Sequence, residues 1–144
     1  MADTWYGMEM GATEIEEFLN EQATGVLSLS QDDRAYGVPM SFAYDGEHDR
    51  VIMDMAFGPE SKKAGFIEST EEICLTVYDW EGPKEWRSVI VTGTLEAVSE
   101  DELDDEIVSW FYTVAKDIDI SSANIEMHWY ELSIEEVSGY ALYE

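Results

Sequence analysis

Two lysines stand side by side at positions 62 and 63, in the stretch FGPESKKAGF, residues 57–66. The whole chain has seven Lys and Arg against 33 Asp and Glu, a formal charge of −26. Gly58 and Pro59 come just before the pair. Proline suits the first position of a helix, where its missing N–H is not needed. That spacing puts Lys62 and Lys63 in or near a first helical turn, the end where the macrodipole disfavours cations. Free N–H groups at such an end favour an anion. Two lysines added there make chemical sense if something negative binds between them, and a phosphate is the simplest candidate. The competing reading is that both pair with neighbouring carboxylates. One Ser-Lys-Lys after Gly-Pro is less specific than a Walker loop, so spacing alone leaves both readings open.

The other reactive side chains form no obvious acid–base pair. His48 falls in a turn, and His128 in EMHWYEL has strand spacing that suits a surface or packed histidine. Cys74 alternates with Ile73 and Leu75 on a core strand and reads as inert. Asp54 interrupts VIMDM and is expected to face solvent on the outer side of its strand. One cysteine permits no intrachain disulfide, and two histidines argue against a zinc site. A reducing, cytoplasmic setting follows as an expectation.

The elements that must position these residues come from a chain of 144 residues, the length of one domain with a real core. Residues 1–12 read as an N-terminal segment and 13–144 as a single domain. No apolar run approaches the ~20 residues of a membrane span, and the acidic start MADTWYGMEMGATEIEE is unlike a secretory signal. The charge repels nucleic acid and anionic membranes, which excludes both as partners. Acids spread along the whole chain suggest a halophile's protein, since molar salt shortens the Debye length to ~3 Å and screens self-repulsion.

TEIEEFLNEQ (13–22) reads as a helix with Thr13 and Glu16 at capping-box spacing. ATGVLSLSQ alternates as a strand, and AYGVPMSFAY is a second strand, with Pro39 marking an edge. DGEHD is a hairpin turn into the strand RVIMDMAF. A short helix, ESKKAGFIES, follows. EEICLTVYDW and WRSVIVTGTLEAV are two more strands. SEDELDDEIVSWFYTVAKD reads as the longest helix, with a Ser99–Glu102 capping box and a stripe of Leu103, Ile107, Trp110, Phe111 and Val114. IEMHWYELSIEEVSGYALY closes the chain as one or two strands. Short turns make the early strands antiparallel, and six or more such strands in a small domain close into a barrel with about three peripheral helices.

This order, together with GVLSLS, YGVPMSFAYDG, RVIMDMAFGPESKKAGF and WRSVIVTGTLEAVS, resembles the pyridoxamine 5′-phosphate oxidase-like flavoproteins, the FMN-binding split barrels. The resemblance spans residues 13–143. Its most specific part is the third strand running into Ser61-Lys62-Lys63, where the family holds the FMN phosphate; the interior glycine of the fifth strand, Gly93, is a second match. The resemblance implies that Lys62 and Lys63 bind that phosphate and that Ser61 adds a hydroxyl. It places Val38, Pro39, Met40, Ser41 and Phe42 beside the flavin, with Met55, Ala56 and Phe57 across from them. Trp86, Arg87 and Ser88 would approach from the other subunit of a homodimer.

The chain departs from pyridoxamine-phosphate oxidases proper. Val38 stands where they open the second strand with arginine, and no basic residue follows Lys116. A phosphorylated substrate would meet little positive charge beyond the cofactor lysines, which argues against vitamin B6 oxidation. The expected activity is therefore an FMN-dependent oxidoreductase, of the flavin- or nitro-reductase kind, with a reduced nicotinamide donor, NADH or NADPH, and an unknown acceptor. Alternatives are the same barrel using the deazaflavin F420 or haem, and a flavin-binding sensor or store without turnover. Hydride transfer is the cofactor's own chemistry, so the absence of an acid–base pair is no obstacle.

Overall fold

The computed structural model describes residues 7–57, 62–114 and 126–143. Along the chain run β1 (Met8–Glu9), α1 (Ala12–Glu21), β2 (Thr24–Gln31), β3 (Arg34–Ser41), β4 (Ala43–Asp45) and β5 (Arg50–Phe57). Then come α2 (Lys62–Ser69), β6 (Ile73–Gly82), β7 (Glu85–Ala97), a 3-10 turn at Glu100–Glu102, α3 (Asp105–Val114) and β8 (Glu126–Leu142). The strands pair in the order β3-β2-β6-β7-β8-β5-β4, with β1 added to β8, and every pairing is antiparallel.

Only Phe42 separates β3 from β4, so the segment 34–45 stands at both ends of that order and the sheet closes on itself. At Phe42 the chain changes partner. Its N–H donates to the Ala23 carbonyl at 3.0 Å, and Ala43 already pairs with Ile52 on β5. The β4–β5 ladder covers only Arg50–Ile52 of β5, while β3 pairs with β2 alone. Beyond Ile52 the outer edge of β3 and the free edge of β5 therefore face one another unpaired. This is the split in the barrel. Pro39, with no N–H to give, sits on that edge strand as its chemistry requires.

Alternation fills the interior. Leu27 and Leu29 of β2, Ile73, Leu75 and Val77 of β6, and Val89 and Val91 of β7 are buried. Their outward neighbours Ser28, Ser30 and Tyr78 are exposed. The Asp32–Asp33 hairpin takes positive φ at both residues (49° and 63°), a conformation Asp tolerates better than most. Gly93 sits opposite a bulge in β8, where Glu135 is skipped in the pairing and a Cβ on residue 93 would come 1.9 Å from the Ser133 carbonyl oxygen, so the close approach of β8 demands glycine there.

α1 seals one end with Ile15, Phe18 and Leu19. α2 closes the split with Phe66, whose ring stacks on Tyr36 at 4.9 Å. α3 lies outside the barrel over β4 and β5, and builds a second small core from Ala43, Ile52, Leu103, Ile107, Phe111 and Trp129. β5 is thus covered on both faces, which is why Val51–Met55 are buried without interruption.

Three expectations about the helices need correction. α1 begins after Gly11, so Thr13 and Glu16 form no capping box. The Ser99–Glu102 box is present, with the Glu102 carboxylate accepting from Ser99 Oγ at 2.9 Å and from its N–H at 3.3 Å, but it caps only the 3-10 turn. Leu103 is extended, and Asp104 starts α3 afresh by accepting from the Ile107 and Val108 N–H groups. That restart changes the phase of the stripe. Ile107 and Phe111 point inward, while Trp110 is 39% exposed. The end of the expected helix, Lys116 included, lies outside the described residues.

Candidate functional site

β5 delivers Phe57 to the mouth of the split, and α2 brings Lys62 and Lys63 up beside it. Lys62 is exposed and Lys63 half-buried. The Lys63 ammonium lies 5.2 Å from the centre of the Phe57 ring. That ring is packed against His128 at 5.4 Å and Tyr130 at 6.0 Å, both on β8. Burial pushes the Lys63 ammonium below its ordinary pKa. Among the described residues no carboxylate pairs with either lysine. In a chain this acidic, that separation counts against the reading in which the lysines are simple ion-pair partners.

The other expected contacts divide into three groups. Val38 and Met40 turn into the barrel, while Pro39 and Ser41 face outward on β3. Phe42 and Met55 have no exposed surface, so neither lines the open part of the split. Ala56 and Phe57 are half-buried at the end of β5. These residues and the lysines converge on the split. Ser61, with Gly58 and Pro59, lies outside the described residues.

Trp86 and Ser88 do not converge with them in the same chain. They sit on the outer face of β7, three places from β3 in the sheet order. Arg87, between them, points the opposite way. Its guanidinium bonds Asp79 at 3.0 Å and Glu21 at 3.3 Å and covers the Phe18 ring at 4.6 Å.

The outer face that carries Trp86 and Ser88 has a property the sequence hides. Cross-strand partners share a face, so the registers define rows. One runs Pro39, Val26, Thr76, Ile90, Ser138. Its neighbours are Tyr78, Ser88, Tyr140 and then Trp80, Trp86, Leu142. None of these positions is charged. On the other flank the row Gly37, Ser28, Cys74, Thr92 reaches its first charge at Glu136. Tyr78 and Trp80 are 60% and 59% exposed. Where β2 and β6 part beyond Val26 and Thr76, a groove of about 700 Å³ opens between Val26, Pro39, Tyr78 and Trp80. The readable signal was TVYDW, with two aromatics at alternate positions on the side away from the core.

Sequence reasoning also missed a buried ion network at the β4–β5 turn. Arg50 donates to Asp45 Oδ2 at 2.8 Å and to Glu131 Oε2 at 2.8 Å, and His48 Nδ1 meets the same Asp45 oxygen at 2.9 Å. Burial alone would raise the Asp45 carboxyl, but the hydrogen bonds from Arg50 and His48 prevail and hold it below its usual range. Asp45, Glu47 and His48 are close enough to share a metal ion, yet the guanidinium already neutralises the buried carboxylate among them.

Asp54 does not face solvent as the strand pattern suggested. α3 covers it, leaving it 8% exposed.

A closed antiparallel barrel, split beside a strand that leads into a lysine pair, defines the split-barrel class. The chain belongs to the family described as pyridoxamine 5′-phosphate oxidase, whose model matches residues 11–141. No curated protein matches it. Among solved structures, an FAD-binding protein from Mesorhizobium loti is 22% identical with a TM-score of 0.71, over 92% of this chain and 96% of its own. The FAD binding protein of Mycobacterium smegmatis is 16% identical with a TM-score of 0.68, over 95% and 99%. An FAD and heme binding protein of the same organism is 15% identical with a TM-score of 0.66, over 92% of this chain and 71% of its own. These likenesses establish the fold. No described helix is long and apolar enough to cross a membrane.

Proposed function

We propose that this protein is a flavin-dependent oxidoreductase, most simply FMN-dependent, acting as a homodimer on a small-molecule acceptor with NADH or NADPH as donor. The observation that carries the reading is the Lys62–Lys63 couple at the start of α2, with no carboxylate partner among the described residues and Lys63 over the Phe57 ring. A half-buried ammonium over an aromatic ring gains about 1–2 kcal/mol from that contact. A phosphate gives it the charge-assisted hydrogen bonds the ring cannot.

Bound flavin would supply the hydride chemistry. The chain's part is to hold and orient it. Lys62 and Lys63 take the phosphate, with Ser61 as a further donor. The free edge of β3 from Val38 to Ser41 offers backbone N–H and C=O groups to the ring's polar rim, and Ala56 and Phe57 form the opposite wall, with Phe42 and Met55 buried behind. A mostly apolar slot with few polar fixers is the usual form of such a site. The uncharged outer face favours a second copy of the chain, because a dimer through it brings no carboxylates together. Trp86 and Ser88 would then reach the partner's flavin. Arg87 is the weakest member of the expected set, since its guanidinium is already engaged.

The test is a visible absorption spectrum of the protein purified in molar salt, with the chromophore then released and identified. A two-band flavin spectrum that disappears in Lys62→Ala/Lys63→Ala is the expected result. A colourless protein that ignores added FMN and FAD would sink the proposal. The FAD-binding relatives make the FMN-or-FAD distinction part of the same measurement. Rapid mixing with NADH or NADPH separates an enzyme, whose flavin bleaches, from a carrier.

A further inference from the structure

Among the described residues, Asp54 Oδ1 is the one buried side-chain oxygen without a hydrogen-bond partner. Asp54 sits on the outer face of β5, beneath α3. Its Oδ2 accepts from the Tyr112 hydroxyl at 3.3 Å. Trp129 lies directly opposite it in the β5–β8 ladder. The rings of Phe111, Tyr112 and Trp129 stand edge to face, with centroids 5.2, 5.6 and 5.8 Å apart. The Trp129 N–H is spent on Glu100, at 3.0 Å.

An ionised carboxylate has about four acceptor sites to satisfy. Here, among the described residues, one weak donor reaches it, and the carboxyl is buried beneath α3 at 8% exposure. The titratable groups that face it are Tyr112 from α3 and Glu100 from the 3-10 turn; His128 of β8 stands on the opposite face of the sheet, beside Met55, and acts on it only through its charge. Burial is the main influence and raises the carboxyl's pKa; the Tyr112 hydrogen bond opposes this, Glu100 adds to it, and His128 opposes it. A neutral acid fits these surroundings, whereas a carboxylate is stranded in them.

We propose that Asp54 is a proton-operated latch on α3, which closes over β5 while Asp54 is a neutral acid and loosens once it ionises. The helix can move separately because its apolar contacts belong to the small second core, apart from the barrel interior. Opening lets water reach Asp54, which then regains an ordinary pKa and releases its proton. The opening equilibrium must therefore grow with pH, about tenfold per unit, from the ordinary Asp value up to the raised value of the closed state, and level off above it. The latch does not depend on the flavin reading.

Two measurements on the full-length protein in molar salt test it. The first is the infrared difference between wild type and Asp54→Asn, followed upward in pH from just above the ordinary Asp value. A carboxylic-acid C=O band present only in the wild type is expected; its absence overturns the proposal. The second is amide hydrogen exchange across α3, corrected for intrinsic base catalysis. Wild-type opening should climb about tenfold per pH unit within the window, and Asp54→Asn, which mimics the neutral acid, should be flat. Equal slopes in the two proteins overturn the proposal. Should Asp54→Asn fail to fold, Tyr112→Phe serves in its place. Removing the hydroxyl that favours the ionised form should carry the acid band to higher pH than in the wild type, and an unmoved band counts against the latch.

Discussion

The Lys63 ammonium stands 5.2 Å above the Phe57 ring with no carboxylate joined to it among the described residues. Burial without a counter-charge leaves this lysine with a lowered pKa. Lys63→Met should therefore leave the apo-protein as stable as before, or more so, while weakening flavin binding about tenfold or more, the worth of a hydrogen bond to a charged group. Chemical unfolding and flavin-fluorescence titration separate the two effects. A variant that binds flavin normally would remove Lys63 from the site.

The same lysine gives the binding a pH signature. Its folded-state pKa lies below the ordinary 10.5, so it loses its proton earlier than an exposed lysine as pH rises. Flavin affinity should fall through that window. The stability of the apo-protein should rise slightly there, because the unfolded chain binds more protons. Opposite trends with pH are the expected outcome, and parallel ones would exclude Lys63 as the group responsible.

Ile90 occupies the centre of the uncharged rows, between Thr76 and Ser138. Ile90→Glu should split the proposed dimer, since a lone carboxylate buried at an interface has no partner. Sedimentation equilibrium would show a monomer with an unchanged far-ultraviolet spectrum. An intact dimer would move the interface off this face.

How much of this could be read in the sequence depended on whether the signal was local. Leu27 against Ser28, and Leu75 against Thr76, announce strands by alternation alone. The lysine pair after Gly58-Pro59 suggests an anion site through an equally local signal, and that site is a proposal. Asp54 was misplaced because alternation shows that a residue leaves the barrel interior, not that a helix fifty residues later covers it. The phase of α3 was lost because SEDELDDE holds two helix starts, Ser99 and Asp104, and only the backbone break at Leu103 decides between them. The uncharged face was invisible because its rows join residues as distant as Val26 and Ser138.

The approach of β8 beside its bulge makes glycine at position 93 a strict requirement. A methyl group there would meet the Ser133 carbonyl at 1.9 Å, against backbone that cannot rotate away. Gly93→Ala should cost at least the ~1–3 kcal/mol of core overpacking. The urea midpoint should drop, with Gly25→Ala, 2.8 Å from the Thr76 carbonyl, a milder companion. A wild-type midpoint for Gly93→Ala would mean that β8 can shift.

Salt should act on the surface charge and spare the buried network. With a net charge of −26, the folded state repels itself, and raising ionic strength from 0.1 to 1 M shortens the Debye length from ~10 to ~3 Å. Wild-type stability should climb steeply over that range. Arg50 and Asp45 are only 12% and 10% exposed in their side chains, so bulk ions screen them little. Arg50→Gln strands Asp45, and removing one member of a buried pair costs about 3–5 kcal/mol. That deficit should persist in molar salt, giving two parallel curves of stability against salt. The curves would converge at high salt only if the network were open to solvent, and its place in the fold would then need revision. Asp45 adds a pH signature: its folded pKa is depressed, so its stabilisation is present above the ordinary Asp value and lost as pH falls through the lowered one. Arg50→Gln should lose that acid dependence along with the bond.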